Sequence, residues 1–302
     1  MKKLIACLLS VMLVACGAPK QETTTLKVLV PKGAPALALT TSMTEKEEEY
    51  SLVDGTDLLT TEFAKENGDY DLVVAPINLG AKLIQDGKTS YRLAGVVTWG
   101  NLYLVADKNL AETDIVTAFG QGAVPDRVMQ RIFQAMGYQN NIEYFPSVTD
   151  VQAQMLSNQA DVALMAEPAA SATIAKAKQQ ERELKIILDF QKEWKNISGT
   201  EGYPQAALFV REASYQKYSK QIDALLQSYV KASEAQNADP ETLRSKIETL
   251  TPEYLGVPSA DMAIKTYPRQ NIRFVLAKDA TADIKAFLEI FNISFEDSFL
   301  IK

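Results

Sequence analysis

The chain has 302 residues, 47% of them apolar, and carries 38 acidic against 31 basic residues for a formal charge of −7. A chain of this length buries a substantial core and is expected to divide into two lobes, while its acidic balance excludes the basic footprint of nucleic-acid binding. Histidine is absent, which removes Ser/His/Asp and Cys/His catalysis and the commonest metal ligand; the two cysteines, Cys7 and Cys16, cannot form a zinc or iron–sulfur site, so no metal and no cofactor are expected.

Lys2 and Lys3 precede an apolar run from Leu4 to Ala15. It falls short of the roughly 20 residues a membrane-spanning helix needs and has the form of a signal-peptide core. The run ends Leu13-Val14-Ala15-Cys16-Gly17, which resembles the bacterial lipobox, Leu-x-Ala-Cys. That resemblance implies lipidation of the Cys16 sulfur and cleavage before it. Residues 1–15 are then a signal peptide, and 16–25 the lipidated cysteine with a small, polar, flexible tether. The alternative is an ordinary secretory signal that leaves Cys16 as a free thiol or a dimer disulfide. On the lipobox reading Cys7 departs with the signal, no internal disulfide is possible, and the protein sits on the extracytoplasmic face of the cell membrane.

From Leu26 the chain alternates. "LKVLVPKGAPALAL" reads as a strand, a glycine turn at Pro31-Lys32-Gly33 and a helix start at Pro35. A strand over Tyr50–Val53, a helix from Asp57, a strand over Tyr70–Ala75 and a helix from about Leu79 repeat the cycle, which predicts a parallel sheet covered by helices. "YRLAGVVTWGNLYLVADKN" is extended through about Ala106 and interrupted at Trp99-Gly100-Asn101, as a crossover between lobes would be. "DIVTAFGQGAVPDRVMQRIFQAMG" is strand, glycine loop and amphipathic helix, with Val128, Ile132 and Met136 as its apolar stripe. A strand through Tyr144, a helix capped near Thr149-Asp150, a strand over Asp161–Met165 and a helix after Pro168 follow. "GYPQAALFVRE" is the expected return crossover, and the chain beyond Ser214 reads as mainly helical.

The order "LKVLVPKGAPALAL", "YDLVVAPINLGAKLI", "VVTWGNLYLVA", "VTDVQAQMLSNQADVALMAEPAASA" and "GYPQAALFVRE", behind a lipobox, resembles the substrate-binding proteins of ABC importers. Within them it is similar to the branch for nitrate, alkanesulfonates, taurine and thiamine-precursor pyrimidines. The resemblance implies an α/β, bilobal, periplasmic-binding-protein-like fold (type II), two α/β lobes joined by two crossover strands. It implies a first lobe from 26–98 and 208–302 and a second from 99–207. It further implies a monomer that hinges shut on a small-molecule ligand and works with ABC permease and ATPase subunits while anchored to the membrane by its lipid.

Ligands of open α/β sheets gather beyond the carboxyl ends of the strands, where helix N-termini present free N–H groups. The candidate ligand contacts there are Gly33 and Ala34 in the first loop, Asn78 after the third strand, and Gly122 and Ala123 in the second lobe's glycine loop. Trp99 and Tyr203 at the crossovers and Glu167 after "DVALMA" complete the set. For each a structural role stays open: a plain turn, a helix cap, hinge packing, or a carboxylate favouring the next helix. Lys32 is the one cation in these loops, with Arg127 inside a helix, and the cysteine-rich stretch of thiamine-precursor members is missing. A neutral or zwitterionic ligand with a flat or apolar body suits this chemistry better than a small anion. Two other readings remain: an enzyme on the same fold, which would need a histidine or an activated lysine, and a surface adhesin or sensor.

Overall fold

A computed structural model describes residues 23–200 and 202–302; the expected signal peptide, Cys16 and most of the expected tether lie outside the described residues. The strands are β1 (Lys27–Pro31), β2 (Glu49–Val53), β3 (Leu72–Pro76), β4 (Tyr91–Thr98), β5 (Leu102–Ala106) and β6 (Ile115–Phe119). They continue with β7 (Asn141–Phe145), β8 (Val162–Ala166), β9 (Lys185–Asp189), β10 (Ala206–Arg211) and β11 (Ile272–Leu276). They form two sheets, ordered β11-β4-β10-β3-β1-β2 and β7-β6-β8-β5-β9.

Alternation within each strand explains why the apolar runs are continuous. Val28, Val30, Leu72 and Val74 enter one apolar cluster, while Leu29, Val73 and Ala75 enter the other. A strand covered on both faces needs apolar residues at both parities. β1 runs parallel to β2 and β3, whereas β10 lies antiparallel between β3 and β4. In the second sheet β6 is parallel to β7 and β8, and β5 is antiparallel to β8 and β9.

Two strands depart from the sequence expectation. β9 and β11 are five-residue elements with half-buried residues, inserted next to helical sequence, and β11 pairs at the sheet edge through an irregular register. A short, half-covered strand needs too few apolar residues to stand out. In the helix Val124–Met136 the buried stripe is Val128, Met129, Ile132 and Phe133, while Met136 is exposed. Steps of four residues drift about 40° round a helix each time, so the second step, from Ile132 to Met136, leaves the core. The helix Val148–Leu156 starts earlier than expected: Ser147 is its N-cap, its hydroxyl accepting from Asp150 N and donating to Asp150 Oδ2.

The two sheets share one apolar cluster. It runs from Leu29, Val73 and Phe209 of the first, through Trp99 and Tyr203, to Leu104, Val116 and Leu164 of the second. The C-terminal helix Thr281–Leu288 adds Phe287, stacked on Tyr203 and edge-on to Trp194.

Candidate ligand-binding site

The chain leaves the first sheet at Thr98 and returns at Ala206, and these two residues are register partners in adjacent strands. The two crossovers are bonded to each other: Gln205 N donates to Thr98 O at 2.9 Å and Tyr203 N to Trp99 O at 3.2 Å. Close approach explains two glycines. A Cβ on Gly100 (φ 93°) would lie 2.5 Å from the Tyr203 ring, and one on Gly202 (φ 85°) 2.4 Å from Trp99 O. Trp99 is 2% exposed and Tyr203 fully buried. The Trp99 indole N–H donates to Arg273 O, and the Arg273 guanidinium sits over its ring. The Tyr203 hydroxyl donates to Gln191 Oε1 at 2.8 Å, and burial pushes its phenol well above the usual range. Both aromatics thus build the seam between the lobes.

The glycine loops close on their own lobes. Gly33 N donates to Leu255 O at 2.8 Å; Ala34, behind it, is buried. Gly122 N donates to Asp126 Oδ2 at 2.7 Å, and Ala123 N to Gly120 O. Asp126 also receives Gln130 Nε2 and the Tyr144 hydroxyl. Burial, with Asp126 beside it, pushes the Tyr144 phenol up to about 12. The carboxylate of Asp126 therefore takes the place beside this helix start that an anion would otherwise fill.

Glu167 follows β8 with its side chain fully buried, and its partner comes from the other side of the crossovers. Arg269, near the end of the helix Ala260–Gln270, donates from Nε to Glu167 Oε1 at 2.7 Å. The Ser171 hydroxyl joins the same oxygen and Ser171 N the other. The Tyr103 hydroxyl donates to Arg269 O, and Asn271 Nδ2 to Gly100 O, each at 2.7 Å. Residues 269–273 therefore act as a third link between the lobes, which sequence reasoning missed because "RQNIR" carries no motif.

Three side-chain amides stand just past β3 and on the two crossovers. Asn78 stands in the first turn after β3, and Ile77 N donates to Gln205 O. Asn101 pairs with the residue just past β8: Glu167 N donates to Asn101 O, and Asn101 Nδ2 to Glu167 O, each at 2.9 Å. Asn78 Oδ1, Gln205 Oε1 and Asn101 Oδ1 are all buried without a hydrogen-bond partner among the described residues. Asn101 and Gln205 were legible as crossover residues but not as contacts.

The structure thus joins Asn78 to the crossover end through Gln205, and Glu167 to the crossover through Asn101, and packs Trp99 with Tyr203. It leaves Gly33, Ala34, Gly122 and Ala123 in separate loops. A cavity of about 710 Å³ lies elsewhere, on helix flanks lined by Arg127, Arg131, Trp194 and Glu289 among others, and none of the sequence-derived candidates borders it. Among the described residues no group of acidic or cysteine side chains could hold a metal ion, and no helix is long and apolar enough to cross a membrane.

No protein-family model matches the chain, and no curated protein matches it in sequence. Solved structures do. An ABC transporter protein from Parabacteroides distasonis is similar with a TM-score of 0.78 at 20% identity, over 93% of this chain and 99% of that one. The periplasmic aliphatic sulphonate binding protein SsuA from Escherichia coli gives 0.64 at 15% identity, over 92% and 96%. The periplasmic nitrate-binding protein NrtA from Synechocystis PCC 6803 gives 0.56 at 16% identity, over 80% and 69%. Two sheets hung on paired crossovers, with helices on their faces, are the bilobal α/β fold of the substrate-binding proteins of ABC importers.

Proposed function

We propose that this protein is the solute-binding component of an ABC importer. It captures a small molecule between a lobe of residues 26–98 and 208–302 and a lobe of residues 99–207, and hands it unchanged to a permease driven by an ATPase. The observation that carries this reading is the meeting of strand ends from both sheets at one pair of crossovers, in a fold shared with ABC import proteins over nearly their full length. Fold alone does not establish function, so the capture step needs its own test. The acyl chain on Cys16 keeps the loaded protein beside the permease, facing away from the cytoplasm, and the protein acts as a monomer.

Native mass spectrometry of protein purified without unfolding tests the capture step. The expected result is one small molecule retained per chain and chemically unaltered after incubation. Conversion of that molecule to a product would replace this reading with an enzymatic one. The anchor is tested separately: Cys16→Ala is expected to move the protein from the membrane to the soluble fraction or to block its maturation, and unchanged attachment would exclude lipidation at Cys16.

A further inference from the structure

Charge pairing among the arginines singles out one place. Arg92, Arg182, Arg211, Arg244 and Arg269 each meet a carboxylate, and Arg273 lies on the Trp99 ring. The other two, Arg127 and Arg131, stand one turn apart on the helix Val124–Met136, and among the described residues neither guanidinium has an ion pair or a hydrogen bond. The carboxylate next to them in the chain, Asp126, is buried and already receives Gly122 N, Gln130 Nε2 and the Tyr144 hydroxyl.

Local helix physics opposes this placement. Like charges four residues apart repel across one turn, and Arg127 lies in the first turn, where the macrodipole disfavours a cation. Both side chains line the cavity of about 710 Å³, a volume that suits a small organic molecule. Further walls come from the chain between the crossovers, with Trp194 and Ile197 on the helix Phe190–Ser198, and from the chain after them, with Glu289 and Ile290. The cavity therefore holds two guanidinia against one carboxylate, beside an apolar wall. Trp194 is also edge-on to Tyr203 and to Phe287, so that wall backs onto the crossover seam.

We infer that this cavity is a second binding site, apart from the strand-end loops, for an organic oxyanion: a carboxylate or phosphate ester whose charge Arg127 and Arg131 hold and whose apolar body lies on Trp194, Ile197 and Ile290. Guanidinium forks match both oxyanions bidentately. An occupant touches helices from both sides of the return crossover and so ties them together. The inference is independent of solute capture at the strand ends.

The test uses the full mature protein in detergent, still holding any solute it retained from cells, in calorimetric titrations at fixed ionic strength. The probes are phenyl phosphate and benzoate, with inorganic phosphate lacking the apolar body and benzyl alcohol lacking the charge. Phenyl phosphate or benzoate is expected to bind once per chain, and more tightly than inorganic phosphate or benzyl alcohol. Arg127→Gln and Arg131→Gln should each weaken it about tenfold, the loss of one charge-assisted bond. Arg244→Gln, which removes an arginine already paired elsewhere, should leave it unchanged. Without probe, Arg127→Gln should melt no lower than the parent, because it relieves a repulsion; a lower melting temperature would give the arginine a structural role and overturn the inference. No binding of either organic anion, binding indifferent to both cavity substitutions, or an equal loss in Arg244→Gln would also overturn it. Displacement of the retained solute by the probe would make the cavity the capture site itself and overturn its separation from the strand-end loops.

Discussion

Arg269 is the residue on which the junction between the lobes most depends. It gives the fully buried Glu167 carboxylate its only cation among the described residues, while its own side chain is 41% exposed. Stripping a buried charge of its partner typically costs 3–5 kcal/mol, and solvent at the arginine end reduces that. Arg269→Ala is therefore expected to lower unfolding free energy by about 2–3 kcal/mol, and Glu167→Gln by less, because the glutamine oxygen still accepts from Ser171 N and no buried charge is left unpaired. Urea titrations of the two variants should show this order; the reverse order would mean that the pair is solvated. These residues show where sequence reading stops. Gly33, Asn78 and Gly122 announce themselves because turns and caps have local signatures. Arg269 and Asn101 do not, since each acquires its role from a residue more than sixty positions away.

At the scale of elements, the crossovers are governed by crowding. Gly202→Ala forces both a positive φ and a Cβ into a backbone carbonyl, whereas Gly87 (φ 64°) has the same sign of φ with open space around it. A left-handed φ alone costs roughly 1–2 kcal/mol for a residue bearing a Cβ. Gly87→Ala should therefore lose about that amount, and Gly202→Ala more by at least ~1 kcal/mol for overpacking, read as the difference in melting temperature. Equal losses would show that the crossovers can separate freely. A second element test concerns Asp189, which ends β9 and caps the helix Phe190–Ser198 by accepting from Gln191 N and Lys192 N. Asp189→Ala should cost ~1–2 kcal/mol in denaturant titrations. The strands with covered faces, β1, β3, β5 and β8, were legible because burial on both sides writes long apolar runs. β9 and β11, five-residue strands with half-buried residues, were not.

For the whole molecule, the absence of histidine and the abundance of buried tyrosine shape the response to pH. Burial raises the phenols of Tyr50, Tyr91, Tyr103, Tyr203, Tyr229 and Tyr267. In the unfolded chain a phenol titrates near 10. The folded values are the higher ones, so the unfolded chain releases its protons first as pH rises. The stability these groups contribute is complete below about pH 10 and is lost as pH climbs from there through the folded values. No imidazole step is available between about pH 5 and 8. Urea midpoints should therefore be nearly level from pH 6 to 9 and fall steeply above 10; a step near pH 6.5 would contradict this account. Because one apolar cluster spans both sheets, the lobes should also melt in a single calorimetric transition instead of two.

The pairing of Thr98 with Ala206 reaches beyond stability. Neighbouring strands lie about 5 Å apart, so the first sheet asks of the intervening chain only that its ends return to adjacent rungs. A second lobe from another protein, grafted at two peptide bonds, would have to bring with it the Tyr203 seam, a carboxylate for Arg269 and a hydroxyl for its carbonyl. New recognition loops could arrive in one recombination, while the sheet that receives them keeps every strand in register.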